Sequence, residues 1–283
     1  MNNEEFYIGW MPAAPTRLAR KLFKWSAVII SLVILVSASL ALLQRPFSTA
    51  SFEFGQTVSL TGVYHDWPVP SLRIESSGDF SGQQAAITVP LVGYGKSGAR
   101  SIIDQLEKDS LVRLNGRTLT LRGSLLYSDG KTILQIDRYD HPLTRIGSMQ
   151  ANSGQQIDTL GMLTLEGEIL DPKCYFGVMK PGSGKPHRDC AIRCIAGGIS
   201  PVLWIQDPNG VSNYCLLVGT DGKTLNQPLQ QLIAEPVRLK ARALRIDDWI
   251  VLTVEDPASI ERTGRLSWFK TRDGLAECKP ALH

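Results

Sequence analysis

The chain has few residues able to do chemistry of their own. Only four histidines and five cysteines occur in 283 residues. No Cys-x-x-Cys-His is present, which excludes a c-type haem attachment. No Walker A loop is present either. Gly182-Ser183-Gly184-Lys185 comes near one, but Met179 stands where the first glycine belongs and Pro186 follows the lysine. The net charge is +3 and the basic residues are scattered, so no stripe for nucleic acid exists. No Ser/His/Asp set or pair of carboxylates can be singled out. Nothing therefore names a reaction, and an enzyme is the least supported class.

Charge is missing altogether from one stretch, Trp25 to Gln44 (WSAVIISLVILVSASLALLQ). Twenty residues at ~1.5 Å each span ~30 Å, the thickness of a bilayer core. Arg17, Arg20, Lys21 and Lys24 precede it, and only Arg45 follows closely. The positive-inside rule predicts residues 1–24 as a cytoplasmic tail and the bulk of the chain outside the cytoplasm. The tail holds Phe6, Tyr7 and Trp10, which suit a membrane surface or a membrane partner. Small residues at Ser39-Leu40-Ala41 and Ser48-Thr49-Ala50 offer a cleaved signal peptide as the alternative. The long polar lead and the length of the run favour a retained, single-pass anchor.

Beyond the linker at residues 44–51, the length suits two domains. The first is predicted at 52–144, with strands at 58–64 and 86–92 and a short amphipathic helix at 101–108. A hairpin turns at Ser128-Asp129-Gly130-Lys131. Residues 147–156 (GSMQANSGQQ) read as a second linker, 157–260 as the second domain and 261–283 as a C-terminal tail.

The two domains read as one unit repeated. Leu60-Thr61-Gly62 matches Leu165-Glu166-Gly167 at an offset of 105, and Leu91-Val92-Gly93 matches Leu217-Val218-Gly219 at 126. Leu121-Arg122-Gly123 matches Leu239-Lys240-Ala241 at 118, and Asp129 matches Asp247 at the same offset. The order strand, strand, helix, long hairpin recurs. The predicted fold is mainly β: two small OB-like barrels after one transmembrane helix. The jump in offset marks about twenty-one extra residues in the second unit. They fall in an insert at 172–201, and long loops on small scaffolds tend to carry function.

That insert, CYFGVMKPGSGKPHRDCAIRCIAGGISP from Cys174 to Pro201, holds three of the five cysteines and one histidine. His187, Cys190 and Cys194 are spaced to share a helix face. Gly197-Gly198 stops that helix. Cys174 joins from the strand end before the loop. Cys174, His187, Cys190 and Cys194 make a Cys₃His set suited to zinc, and thiolates with an imidazole also suit copper. Two alternatives stand beside it. A disulfide framework would join Cys174 to Cys190 or Cys194, with Cys215 available to the other. Redox-active thiols are the third, with His187 one turn from Cys190. Met179 is either a soft extra ligand or a packing residue. His65-Asp66-Trp67 reads as a turn at a strand end. His141, Cys278 and His283 receive no role.

The run His187-x-x-Cys190-Ala191-x-x-Cys194, ending in Gly197-Gly198-Ile199-x-Pro201, resembles a signature of exported bacterial proteins with OB-like strands. In those proteins a strand ending in an Asp and a Cys precedes it, which Asp171 and Cys174 match here. Ser200 stands where that signature has a proline. The resemblance covers about residues 160–255. It implies a bacterial inner (plasma) membrane location with the barrels in the periplasm. The expected role is an accessory protein for a membrane or periplasmic redox or metalloprotein system. A tethered interaction module with a disulfide-stapled loop is the competing expectation.

Overall fold

Between Thr16 and Leu43 no glycine or proline interrupts the chain, and the computed structural model forms helix α1 over that range. It describes residues 15–43, 50–75, 86–138, 141–150, 154–206, 211–220, 222, 225 and 227–264. The aromatics Phe6, Tyr7 and Trp10, the tail residues 265–283 and with them Cys278 and His283 lie outside the described residues. Helix α1 begins nine residues before the charge-free run, so Arg17, Arg20, Lys21 and Lys24 ride on its first turns. It is long and apolar enough to cross a membrane or to act as a signal sequence. The described residues up to Leu43 form one compact unit and those from Ala50 onward another.

The second unit contains two closed five-strand barrels. The first uses β2 (Val58–His65), β3 (Ser71–Glu75), β4 (Ala86–Val92), β5 (Arg117–Ser128) and β6 (Lys131–Ile136). Its ladder runs β5-β2-β3-β4-β6 and closes through β5–β6, with β4–β6 the parallel pair. The short β1 (Ser51–Phe52) and β7 (Leu143–Met149) add to β5. The second barrel uses β8 (Ile157–Leu170), β9 (Val202–Gln206), β10 (Ser212–Gly219), β11 (Pro236–Ile246) and β12 (Trp249–Val254). Its ladder closes in the same order, with β10–β12 parallel. The strip β13 (Glu261–Arg262) pairs β11.

Local sequence explains much of this. In β11, Val237, Leu239, Ala241 and Ala243 point into the barrel while Arg238, Lys240 and Arg242 point out, the period of a half-buried strand. The β5–β6 hairpin turns on Asp129 (φ +46°) and Gly130 (φ +76°), the backbone that a tight two-residue turn demands. Helix α2 (Arg100–Ser110) links β4 to β5 and buries Ile103. In the second barrel the equivalent connection is different. Residues 227–234 form turns and one bridge, Ile233 to Ile169 of β8, and Leu229 and Ile233 are buried there. The stretch expected as a linker at 147–156 begins inside β7 and ends with Gln156 bonded to the Asp247 backbone.

Each barrel has its own core, and a third apolar cluster lies between them. It joins Val69, Val92, Leu126 and Ile133 of the first barrel to Leu216, Val218, Trp249 and Val251 of the second. The equivalent hairpin tips reach across. Asp247 accepts from Thr88 Oγ1 at 2.9 Å and from Arg73 Nε at 3.2 Å. In the other direction, Tyr214 of β10 donates to Asp129 at 2.5 Å. Trp249 Nε1 donates to the Thr88 carbonyl at 2.8 Å.

The insert sits between β8 and β9, where the first barrel has only residues 66–70 between β2 and β3. It is not a loop hung on a finished scaffold. Tyr175, Phe176 and Ile199 pack into the cluster between the barrels, and Ala191 and Ile195 into the second core.

Candidate metal centre

The insert begins where β8 ends. Asp171 Oδ1 accepts from the Lys173 N–H at 2.9 Å and the Cys174 N–H at 3.4 Å. That is the local side-chain bond by which Asp starts a turn. A single wide turn, Cys174–Val178, follows and closes through Met179 N–H to the Cys174 carbonyl at 3.0 Å. Glu168 of β8 holds the far side of the loop, accepting from Gly184 N–H at 2.6 Å. A short 3₁₀ turn, Lys185–His187, leads into α3 (Arg188–Ala196). Arg188 fixes its start through Glu235 at 2.6 Å and the Gln231 carbonyl at 3.0 Å. Gly198 (φ +100°) ends it, with Gly198 N–H on the Ile195 carbonyl and Ile199 N–H on that of Cys194.

These elements bring Cys174, His187, Cys190 and Cys194 together. Cys174 Sγ lies 3.9 Å from Cys190 Sγ and 3.9 Å from Cys194 Sγ. Sulfurs on a tetrahedral ion with ~2.3 Å bonds stand ~3.8 Å apart, so the spacing fits. The donors fall into two triads that share Cys174. One is Cys174, His187 and Cys190, the other Asp171, Cys174 and Cys194, with donor atoms within 4.8 Å in each. Cys174 is thus the hub. His187 is 1% exposed, and neither ring nitrogen has a hydrogen-bond partner. Asp171 Oδ2 is likewise buried without one. Buried polar atoms are almost always bonded, and leaving one bare costs about 1–3 kcal/mol. One imidazole nitrogen of His187 and the Asp171 carboxylate oxygen, both unpartnered beside three thiols, fit a cation.

Burial and hydrogen bonding favour the neutral forms of the Cys174 thiol and the His187 imidazole. The Cys174 thiol is pushed well up by its hydrogen bond with Cys194, then by burial and by the Asp171 carboxylate. Burial lowers His187, against Asp171, which raises it, and Lys96 lowers it further. The imidazole is therefore held neutral, the form that ligates metals. Lys173, 2% exposed, is lowered by burial against the pull of Asp171, Cys194 and Cys174. Its Nζ donates to the carbonyls of Gly93 at 2.7 Å and Gly95 at 2.6 Å. Lys96 Nζ donates to Cys190 Sγ at 3.4 Å.

The disulfide framework finds no support among the described cysteines. No disulfide joins Cys174, Cys190, Cys194 or Cys215, and the 3.9 Å separations are nearly twice the ~2.05 Å of a bond. Cys215 points the other way on β10, into the second barrel's core beside Leu203 and Leu217. Met179 is half-exposed and belongs to neither triad. His65 is buried at the end of β2, and His141 is exposed. Lys173 and Lys96 carry no sequence signal of a site, and Asp171 shows only as a strand end in the repeat and in the resemblance. The Gly-rich run Gly93 to Gly98 is the one signal that marks the Lys96 loop in advance. No protein-family model matches the chain, and no curated protein matches it.

Proposed function

We propose that this is a membrane-anchored accessory protein whose second barrel carries a Cys₃His metal centre. Cys174, His187, Cys190 and Cys194 are the ligands, and zinc or copper is the ion. The observation that carries the reading is the buried His187 with two unpartnered nitrogens, beside thiols at metal-bridging distance. Thiolate and imidazole donors select ions of that class. Both barrels are of the OB type. The strand order, with its parallel closing pair and its helix before the fourth strand of the first barrel, supports this. Residues 52–144 and 157–260 are its two domains. The second owes its function to an insertion between its first two strands.

Helix α1 stays in a bacterial inner membrane and the barrels lie outside the cytoplasm. Four basic residues before the apolar run and one shortly after support that orientation. The partner is another membrane or periplasmic protein of a redox or metalloprotein system. A thiol-redox role is the second reading, favoured by Cys174 lying equally close to two other thiols and by the Lys96 amine on Cys190.

The test is metal retention by the full chain purified in detergent. Wild type retains zinc or copper through gel filtration, and Cys190→Ser loses it. Full retention by Cys190→Ser, or none by wild type, counts against the metal reading. A reporter active only after export, fused behind His283, is active if the orientation holds.

A further inference from the structure

The donors all come from the second barrel, yet the first barrel closes over them. Four hydrogen bonds with the loop between β4 and α2 do this, together with a close backbone approach. Lys173, next to Cys174, is anchored on the carbonyls of Gly93 and Gly95 at 2.7 and 2.6 Å. Lys96 reaches Cys190 Sγ at 3.4 Å. The Gly98 N–H bonds the Gly197 carbonyl at 2.9 Å, at the end of the ligand helix. The backbones touch there. A Cβ on Gly98 would sit 2.0 Å from the Gly198 carbonyl oxygen, and one on Gly197 would sit 1.9 Å from that of Lys96. Only glycine permits such an approach. Residues 94–97 are exposed, whereas Cys174, Cys194 and His187 are buried. The loop is therefore a wall with solvent on one side and the thiols on the other.

We propose that the 93–98 loop of the first barrel is the cover of the metal centre, and that its lifting sets how fast an ion enters or leaves. This rests on the metal reading above. A centre built only for stability needs no second domain over it. A centre that hands its ion to a partner needs a part that can move without unfolding the ligands. The cover fits that need, because it is held by four hydrogen bonds and a close approach of glycine backbones. The ligands sit on a turn and a helix packed into two apolar cores. A partner that binds the exposed face of residues 94–97 and draws the loop off opens the site.

The test uses the full chain in detergent, loaded with zinc and separately with copper(I). Release to a chelator and alkylation of Cys174 in the ion-free protein are timed for wild type and Gly98→Ala. The added methyl forbids the docked loop. Release and alkylation should each quicken roughly tenfold, equivalent to about 1.4 kcal/mol of lost closure. Wild-type rates in a folded Gly98→Ala overturn the proposal. If that variant does not fold, hydrogen exchange on wild type decides. Loading should slow exchange of the loop amides while leaving β2 and β3 unchanged, and no slowing in the loop overturns it. If no protein takes up either ion, the metal reading fails, and the Cys174 alkylation rates still judge the cover alone.

Discussion

Phe176→Ala tests whether the insert is part of the core. The ring is fully buried, 4.9 Å from Tyr214 in an edge-to-face pair and 6.5 Å from Tyr175. It touches the cluster that joins the barrels, and it lies two residues from Cys174. Truncating a buried Phe costs about 3–5 kcal/mol, and the lost aromatic pair falls within that range. For a unit of this size about 4 kcal/mol corresponds to roughly 8–16 °C in Tm. The control is Phe54→Ala, whose ring is 79% exposed and whose loss should change stability by no more than about 0.5 kcal/mol. Both variants and wild type are unfolded with urea and followed by tryptophan fluorescence. If Phe176→Ala falls within about 1 kcal/mol of the control, the insert is an appendage and the shared core is wrong.

Other outcomes follow from single contacts. Cys174→Ser removes the sulfur common to both triads and should abolish ion retention, whereas Cys215→Ser should keep it; metal analysis of both reads the difference. Trp249→Phe strips the indole N–H from the buried Thr88 carbonyl, so the chain should lose about 1–3 kcal/mol in urea unfolding. The ion-free protein should also weaken in acid. His187 is depressed below its ordinary 6.5, chiefly by burial. Below that value the unfolded chain takes up a proton that the folded one resists, so stability is present above it and lost as pH falls. His187→Gln should flatten the stability profile below pH 6.5, and an unchanged slope would place the acid response elsewhere.

Sequence patterns carried the parts whose signal is local. The charge-free run gave α1, although the helix reaches back to Thr16 because Arg and Lys are good helix formers. The Asp129-Gly130 turn and the alternation along β11 were legible for the same reason. Strand β3 was missed, since Ser71-Leu72-Arg73-Ile74-Glu75 is short and becomes a strand only by pairing with β2 and β4. The core between the barrels was invisible too. Tyr214 and Leu216 alternate with Cys215 and Leu217 on a strand apolar on both faces, and sequence does not say that the two faces serve different cores. His187, Cys190 and Cys194 could be grouped because they lie on one helical run, and Cys174 meets the first two in one triad and the third in the other. Lys173 escaped because lysine is expected in water, and its partners are backbone carbonyls eighty and seventy-eight residues away.

X-ray absorption at the zinc or copper edge of the loaded full-length chain addresses the central claim most directly. A Cys₃His centre gives a first shell of about three sulfurs at ~2.3 Å and one imidazole nitrogen at ~2.0 Å. A shell of oxygen and nitrogen alone, without sulfur, would contradict it.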